Sequence, residues 1–536
     1  MKAQRCLLIS LLTFLSLTSN AEDVVVDGVT YNLIPKGKVA EVVESRDSIL
    51  QEAPVLDEAG DITFDGEGNI VMGYVKTHKP YSGDIVIPEK IIYDETEYDV
   101  KIIKDGAFSG RTLNSISIPS SITKIGTNAF FRSPVTTVII SDLAAWCGID
   151  FGNCHSCPLQ FATHFYLNEE EITEAVIPNG VTSIGKEAFY CYKGFTSIKI
   201  PSSVKSIGFE AFYGCDNVTT IVVGDNESQE ANTVIGQRAF YECTNVDSVF
   251  LGSNIEKIDK EAFYDCKKLE RIIIPNSVNS IGTHVFLGCE NLESVKLSDN
   301  ITSIEWSCFN GCKKLSDITI PDGVTTLGDA AFADCVSLTS INLPSALQDI
   351  GWHVFQGCTG LTSIDIPDMV TFIQIGAFDR CSNLKTVSLG KSLTDIRPGV
   401  FKDCPNIEDV YCYAKNPPAC YREYLGYYGR IIETFQDSYI EYATLHVPAS
   451  AIDAYKSTEP WSTFGTIEAM PEPDFVLGDV NNDGAVDISD YIGVANHILG
   501  NTPAGFNATA ADVNNDGDID ISDYIGVANI ILTGKP

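Results

Sequence analysis

The 23-residue stretch AFYDCKKLERIIIPNSVNSIGTH, residues 262–284, decides the fold because its pattern returns along most of the chain. Phenylalanine recurs every 23 positions over seven intervals, and looser spacings of 22, 59, 23 and 28 precede them. A fixed period of this length predicts a solenoid, whose amphipathic units fold only when stacked on one another. The repeat phenylalanines are Phe108, Phe130, Phe189, Phe212, Phe240, Phe263, Phe286, Phe309, Phe332, Phe355, Phe378 and Phe401.

Each unit predicts one short strand and one closing segment. Residues 269–274 place apolar side chains at alternating positions, as a strand of a stacked parallel sheet would, and Pro275 ends the strand. Val278 and Ile281 are expected to point inward, and Gly282 to supply a tight turn. The next Val-Phe pair is expected to begin a short helical or 3₁₀ segment that closes the coil.

This pattern, roughly AFxxCxxLxxIxIPxxVxxIG, resembles the leucine-rich repeats of BspA-type bacterial surface proteins over most of residues 85–411. The resemblance implies an α/β repeat fold, a leucine-rich-repeat solenoid of 23-residue units with parallel strands, which recognises proteins or host surfaces. Residues 22–84 and 412–470 are predicted to be the N-terminal and C-terminal caps that cover its apolar ends.

Near the C-terminus two twelve-residue strings, DVNNDGAVDISD (479–490) and DVNNDGDIDISD (512–523), carry oxygen-bearing side chains at positions 1, 3, 5, 9 and 12. Gly484 and Gly517 stand at position 6, which is typical of EF-type loops that surround Ca²⁺ with oxygens. The alternative is an acidic turn that only satisfies its own backbone. The loops therefore predict two Ca²⁺ ions, held by the side chains of Asp479, Asn481, Asp483, Asp487, Asp490, Asp512, Asn514, Asp516, Asp520 and Asp523 and the backbone carbonyls of Ala485 and Asp518.

Pro471 and Pro473 break any helix before the first loop, so each loop is expected to have only an exiting helix, over 491–499 and 524–532. Two such half-hands resemble a type I dockerin, a small α-helical calcium-binding domain, at residues 475–536 after a linker at 471–474. The resemblance implies docking to a cohesin-like protein, although neither helix carries the Lys or Arg that many dockerins use. The implied contact residues are Ile488, Ser489, Ala495 and Asn496, with Ile521, Ser522, Ala528 and Asn529 in the second copy.

Charge and the N-terminus indicate where the protein works. Acidic residues number 72 against 36 basic ones, a net charge of −36, which argues against a nucleic-acid partner. Lys2 and Arg5 precede an apolar stretch at 7–17 and small residues up to Ala21, which predicts a cleaved signal peptide at 1–21 and a secreted or cell-surface protein. No later apolar stretch reaches the ~20 residues of a membrane span.

Nine of the 17 cysteines stand three residues after a repeat phenylalanine, which predicts a buried ladder of reduced thiols. The cluster of Cys147, Cys154, His155 and Cys157 lies in the 59-residue interval, where the context DLAAWCGIDFGN resembles the inserted turn of BspA-type arrays. A local disulfide and a zinc site are the lesser alternatives, and zinc is disfavoured because two well-spaced ligand pairs are missing. Cys412 and Cys420 could form one bridge. The ladder residues are Cys215, Cys243, Cys266, Cys289, Cys312, Cys335, Cys358, Cys381 and Cys404.

The chain contains no GxSxG, HExxH or Walker sequence, so no catalytic residue is predicted. His284 and His353 are expected on a helix surface. On the strand face Phe250, Arg271 and Ile273 are the predicted interface anchors, because the other outward positions are small or polar. Those positions are Ser197, Lys199, Ser248, Ser294, Lys296, Asp317, Thr319, Ser340, Asn342, Ser363 and Asp365. The alternative is a face that is only solvated and binds nothing.

Together these features predict a secreted, non-catalytic recognition or adhesion protein. Its repeat surface would bind a protein or glycan partner, and its dockerin-like module would attach it to a cohesin-like extracellular component. The alternative is a subunit or enzyme of an extracellular polysaccharide-degrading assembly. A third possibility is that the module docks onto the chain's own solenoid or only stabilises the C-terminal end.

Overall fold

The computed structural model describes residues 22–26, 29–34, 38–43, 49–54, 72–77, 82–225, 232–425, 430–470 and 476–533. The predicted signal peptide and linker lie outside these residues. Along the repeats most turns contribute one strand to a parallel sheet, called here the front sheet, and a shorter strand to a second parallel sheet, the side sheet. The predicted solenoid of stacked parallel strands is therefore confirmed, and the side strands are an addition to it.

The front sheet has three segments. Their strands are Ser82–Val86, Thr112–Ile118, Val135–Ile140, His164–Leu167 and Glu170–Glu171; then Glu174–Val176, Ser197–Ile200, Thr220–Val223, Ser248–Leu251, Arg271–Ile273, Ser294–Lys296 and Asp317–Thr319; then Ser363–Ile366, Thr386–Leu389, Asp409–Cys412, Thr444–Pro448 and Thr466–Met470. Ser340 and Asn342 fall between the last two segments, in a turn without a regular strand, so the predicted strand there is wrong.

The side sheet also has three segments, and its first edge carries an antiparallel addition from the N-terminal region. Its strands are Glu22–Val26, Val29–Ile34, Val39–Val42, Lys90–Tyr93, Thr96–Ile103, Lys124–Ile125 and Asp150–Phe151; then Ser183–Ile184, Ser206–Ile207, Thr233–Ile235, Ile255–Ile258 and Ser280–Ile281; then Ser303–Ile304, Thr326–Leu327, Asp349–Ile350, Phe372–Ile373, Asp395–Ile396 and Ala419–Cys420. Two separate hairpins pair Ile49–Pro54 with Met72–Thr77 and Glu423–Leu425 with Arg430–Ile432.

Helices are short within the repeats and longer near the C-terminus. The α-helices are Leu143–Cys147, Ile452–Lys456, Ile488–Ile498, Ala508–Ala511 and Ile521–Thr533, and the 3₁₀ helices are Cys154–Ser156, Pro158–Phe161, Ile440–Tyr442, Ala449–Ala451 and Trp461–Thr463. Among the described residues, none of these helices has both the length and the apolar character needed to cross a bilayer.

The repeat phenylalanines form two stacks inside the coil, Phe108 on Phe130 and a long one from Phe189 to Phe435. From Phe189 to Phe435 successive ring centroids lie 4.9–5.8 Å apart with planes 5–16° from parallel. In the 59-residue interval Trp146 takes over, with its ring against Phe151 and Phe165 and its indole N–H donating to the Ala188 carbonyl at 2.9 Å. Each ring is thereby covered by its neighbours in adjacent turns, which is why no unit is stable alone.

The cysteine ladder is confirmed. Each of the nine thiols is buried, and its Sγ donates to the carbonyl oxygen of the preceding turn's phenylalanine at 3.1–3.4 Å. Burial raises the pKa of Cys243 and Cys358 to about 12, so these thiols stay protonated and inert. All sixteen described cysteines carry free thiols, including Cys412 and Cys420, which form no bridge.

The closing segment was predicted to be a short helical or 3₁₀ segment, but this prediction is wrong. The segment is a series of turns. Glu261 and Asp265 adopt left-handed φ angles of 59° and 55°. This geometry turns their N–H groups, and that of Phe263, toward the next unit, where they donate to carbonyls 2.8–3.0 Å away. The N–H groups between them bond within their own unit. The backbone is thus satisfied between turns of the solenoid, which leaves no role for a helix.

Glycine is needed at position 282 because the backbone of the preceding unit passes close to it, and not because the turn requires a positive φ angle. A Cβ atom there would lie 2.5 Å from the backbone nitrogen of Lys260 in the preceding unit. By contrast, Val278 and Ile281 are buried as expected.

The C-terminal unit is small and built from two similar halves. Its helices, Ile488–Ile498 and Ile521–Thr533, begin three residues earlier than predicted, the first because Asp487 caps it by accepting from the Ser489 N–H. A further short helix, Ala508–Ala511, precedes the second loop and was not predicted. The buried core consists of Val480, Val494, Ala511 and Val527.

Thiol titration tests the ladder. In the native, unreduced protein the nine ladder thiols are expected not to react with a thiol reagent, and at least nine more thiols should react after unfolding without reductant. Replacing the less buried Cys154 and Cys191 by Ser should lower the native count but leave the number of newly reactive thiols unchanged. Fewer than nine newly reactive thiols would contradict the ladder.

Candidate functional site

Each acidic loop is wrapped around its own first and last aspartates. The two oxygens of Asp479 accept the N–H groups of Asp483 at 3.1 Å and Gly484 at 2.8 Å. Asp490 accepts three more N–H groups, from Val480, Asn481 and Asp487, at 2.8–3.2 Å. The loop therefore closes on a carboxylate at each end.

The second loop repeats this arrangement residue by residue. Asp512 accepts from Asp516 and Gly517 at 3.1 and 3.0 Å, and Asp523 accepts from the N–H groups of Val513, Asn514 and Asp520 at 2.7–3.2 Å. Gly484 and Gly517 both have φ of 90°, the left-handed region that position 6 of the loop requires. The internal repeat of the sequence is thus a repeat of backbone geometry.

The loops fit a hard cation. Asp490 and Asp523 are fully buried and Asp479 is 3% exposed, yet no described Lys or Arg forms an ion pair with them. In the second loop, carboxylate oxygens of Asp512, Asp516 and Asp523 all lie within 4.8 Å of one another. Buried like charges are costly unless a cation balances them, and backbone N–H bonds alone do not supply that charge.

The other predicted ligands have additional roles. Asn481 accepts the Asp483 N–H at 2.8 Å, and Asn514 accepts the Asp516 N–H at 3.0 Å. Asp487 accepts the N–H of Ser489 at the start of its helix, and Asp520 accepts that of Ser522 in the same way. All predicted side chains are therefore gathered in their loops, and the carbonyls of Ala485 and Asp518 stay predictions.

Glycines in the two helices position the loops against the core. A Cβ atom on Gly493 would lie 2.6 Å from a methyl carbon of Val480, and one on Gly526 would lie 2.9 Å from a methyl carbon of Val513. Each helix thus packs directly on the second residue of the loop before it. Tyr491 and Tyr524 stack between the halves with centroids 3.9 Å apart.

On the repeats, the three predicted anchors line one groove. Strands Ser248–Leu251 and Arg271–Ile273 pair only at Ser248 and Arg271, whereas the neighbouring strand pairs extend over three or four residues. The sheet opens there into a groove of about 490 Å³. Phe250 is 41% and Ile273 64% exposed, and Arg271 forms no ion pair with any described residue.

Comparison with known families agrees with this architecture. The model of the BspA-type leucine-rich repeat region matches six copies within residues 89–157 and 160–408, and the type I dockerin domain matches residues 477–532. The chain belongs to the BspA-type leucine-rich repeat family. It carries a type I dockerin domain behind the repeats. Both families are non-catalytic, their members are typically extracellular or on the cell surface, and type I dockerins bind calcium and imply a cohesin partner.

Several solved structures align with this chain. A leucine-rich repeat protein from Bacteroides ovatus is 23% identical with a TM-score of 0.46, and a leucine-rich cell-surface protein from Faecalibacterium prausnitzii is 20% identical with a TM-score of 0.42. Each comparison covers 73% of this chain and 94% of the other. The pneumococcal vaccine antigen PcpA is 18% identical over 85% of this chain and all of that one, with a TM-score of 0.38. No curated protein matches the chain.

The dockerin domain presents an apolar stripe that the sequence analysis identified only in part. Of the predicted contact residues, Ile488, Ser489, Ile521, Ser522 and Asn529 are exposed and the remaining three are half-buried. Additional exposed residues extend the stripe at helical spacing from the first isoleucine of each helix, a signal that an i, i+4, i+7, i+11 count would have found. They are Ile492 (53%), Leu499 (76%), Ile525 (54%) and Leu532 (80%).

The cysteine and histidine cluster of the repeats is not assembled into a metal site. Cys147 and Cys157 are buried and free, and the His155 ring packs on Phe131 at 5.0 Å. Within the described part of the chain, only Asp512, Asp516 and Asp523 form a group of three or more possible ligands.

His284 and His353 were predicted to lie on a helix surface, and this prediction is wrong. They occupy left-handed turn positions, with φ of 59° and 56°, and are partly buried with Nδ1 atoms that have no described partner. The prediction fails because the segment that holds them is not a helix.

A column of charged side chains crosses the repeats at the first left-handed position. The guanidinium group of Arg238 donates hydrogen bonds to the carboxylates of Glu210, at 3.1 Å, and Glu261. By contrast, the buried Oε2 atom of Glu187 has no described hydrogen-bond partner. Burial, together with the negative charge of Glu210, raises the pKa of Glu187 to about 7. Glu187 is therefore a carboxyl whose ionisation the fold opposes.

Stability should depend on pH through Glu187. Because its pKa is raised in the folded state, the repeats should lose stability as pH rises through about 7. We expect Glu187→Gln to raise the Tm by about 1–3 °C at pH 8 and to leave it unchanged at pH 4.5. The exposed Glu169 supplies the control, since Glu169→Gln should have no effect at either pH. An equal shift at both pH values would contradict the assignment.

Proposed function

We propose that this protein is a secreted, non-catalytic recognition protein with two binding ends. Its repeats, at residues 85–411 between caps at 22–84 and 412–470, bind a protein or glycan partner. Its dockerin domain, at 475–536, attaches it to a cohesin-like extracellular component. The observation that carries this proposal is the joining in one chain of a BspA-type repeat array and a two-copy type I dockerin.

The dockerin domain holds two Ca²⁺ ions, one in each loop, through the ligands predicted from the sequence. Support comes from the burial of Asp490 and Asp523 without a described cationic partner. The ions balance the charge of the loops and draw the two halves onto a small apolar core around Val480, Val494, Ala511 and Val527. Metal binding thereby contributes much of the folding free energy of the domain.

The cohesin-like partner packs on the apolar stripe of one helix. Ile488 and Ile521 are 63% and 65% exposed at equivalent places, so the two copies offer similar surfaces. An exposed isoleucine surrounded by small and polar residues is suited to the centre of an interface.

The groove at Phe250, Arg271 and Ile273 is the recognition site on the front sheet. It offers two exposed apolar side chains and one cation that pairs with no carboxylate among the described residues, in a chain of net charge −36. Its partner therefore presents an apolar side chain next to a carboxylate.

Calcium titration of the full chain tests the loops. The wild-type protein should bind two Ca²⁺ ions by calorimetry, and Asp490→Asn or Asp523→Asn should each remove one binding event, because each replaces a buried carboxylate. Asp518→Asn is the matched control, since only the backbone carbonyl of that residue is a predicted ligand. Chelator should loosen the domain to protease. Unchanged circular dichroism and protease resistance would refute the role of calcium.

Capture experiments test attachment. With calcium present, the full chain should retain a partner from the envelope or medium of the producing cell, and both chelator and the double change Ile488→Asp with Ile521→Asp should abolish retention. The single changes should each keep it, because the other copy stays intact. Retention by the double variant would exclude this stripe as the docking face.

Binding to host protein or cells tests the groove. We expect Phe250→Ala with Arg271→Glu to weaken binding about tenfold or more, since both anchors of the interface are lost. Lys199→Glu, on the same face two strands away, should leave binding unchanged. Equal binding by all three proteins would remove the groove from the recognition surface.

A further inference from the structure

Two of the four tryptophans are exposed, at equivalent places in two repeat units. Trp306 is 54% and Trp352 50% exposed, whereas Trp146 and Trp461 are buried. The exposed pair is 46 positions, or two units, apart, and each residue follows a side-sheet strand, Ser303–Ile304 or Asp349–Ile350. They therefore lie away from the groove of the front sheet. Tryptophan is enriched at binding interfaces because its large rigid ring offers both apolar area and a hydrogen-bond donor.

The backbone holds both tryptophans firmly. The Trp306 carbonyl accepts the N–H of His284 at 2.9 Å, and the Trp352 carbonyl accepts that of Ala330 at 2.7 Å. On its inner side the Trp306 ring contacts the His284 ring, with centroids 4.7 Å apart. Because these bonds belong to the ladder between turns, a ligand would not have to order the backbone at either ring.

The spacing of the two tryptophans follows from the stack beneath them. Phe309 and Phe355 each come three residues after one of the tryptophans. The ring centroid of Phe332, in the unit between them, lies 5.4 Å from that of Phe309 and 5.5 Å from that of Phe355. Equivalent positions two units apart are therefore separated by about 11 Å. Because the two indoles occupy equivalent positions, we infer that they form a pair of platforms separated by about two repeat steps.

An acidic side chain lies between the platforms. Asp329 occupies the same position in the intervening unit, is exposed, and accepts the Trp352 N–H through Oδ1 at 2.8 Å. Its carboxylate can accept hydrogen bonds from hydroxyl groups but repels anions. The arrangement is thus apolar, acceptor, apolar along the solenoid axis.

We propose that Trp306, Asp329 and Trp352 form a binding site for an extended, neutral, β-1,4-linked glycan. The C–H face of a pyranose ring stacks on an indole, and the sugar hydroxyl groups donate to the carboxylate. In a β-1,4-linked ribbon every second sugar presents the same face, and this two-sugar repeat matches the spacing of the platforms. The carboxylate and the net charge of −36 exclude uronate-rich chains. This site is additional to the groove and the dockerin domain and does not depend on either.

The full-length, calcium-loaded protein should be titrated with cellohexaose, xylohexaose and mannohexaose by calorimetry and by tryptophan fluorescence. We expect at least one of them to bind with a change in fluorescence, while α-1,4-linked maltohexaose and oligogalacturonate do not. Trp306→Ala and Trp352→Ala should each weaken binding about tenfold. The double change to Tyr should keep part of the affinity and verify that loss of stacking, not of folding, is measured.

Tyr442→Ala, at an 86% exposed aromatic residue elsewhere, is the matched control and should bind normally. The groove variant and the chelated protein should also bind normally, so a failure here is separable from a failure of the proposed function. Binding of none of the three β-1,4 hexasaccharides overturns the site. Equal affinity for maltohexaose, or full affinity in the double Ala variant, overturns it as well.

Discussion

The repeat body depends on hydrogen bonds and ring contacts between turns, because a single 23-residue unit has neither a closed backbone nor a covered core. Left-handed residues such as Glu261 and Asp265 turn alternate N–H groups toward the next unit, and the phenylalanine rings stack at 4.9–5.8 Å beneath them. This ladder keeps equivalent residues in columns along the axis. Every surface feature of the repeats, from the charged column at Glu187 to the two tryptophan platforms, is a consequence of that register.

In the dockerin domain the controlling interaction is different, since burial of charge replaces burial of apolar rings. Asp490 and Asp523 are removed from solvent and surrounded by backbone N–H groups, and the apolar core around Val480, Val494, Ala511 and Val527 is small. A cation bound in each loop would offset the cost of burying these carboxylates. The chain therefore combines a body that is stabilised by contacts between repeats with a module organised around two buried carboxylates.

Features that follow from the regular repetition of residues could be predicted from the sequence. The phenylalanine period, the cysteine ladder and the fold of the repeats were predicted correctly, because a period in sequence becomes a column in space. The prediction failed for the closing segment, where a helix was expected, and for His284 and His353 within it. The helix propensity of a residue does not indicate whether its backbone N–H group donates to a carbonyl of its own repeat unit or of the next one. The missing strand at Ser340 and Asn342 and the free thiols of Cys412 and Cys420 also required the packed structure.

By itself the sequence determined the repeat architecture, the two acidic loops with their glycines, and the identity of the candidate anchors Phe250, Arg271 and Ile273. Only the tertiary structure decided that neighbouring strands part at these anchors to open a groove, that Glu187 is buried beside Glu210, and that Trp306 and Trp352 are exposed while Trp146 is not. The physical reason is that burial and strand separation depend on the volumes and hydrogen bonds of the adjoining turns, which a single unit's sequence does not contain.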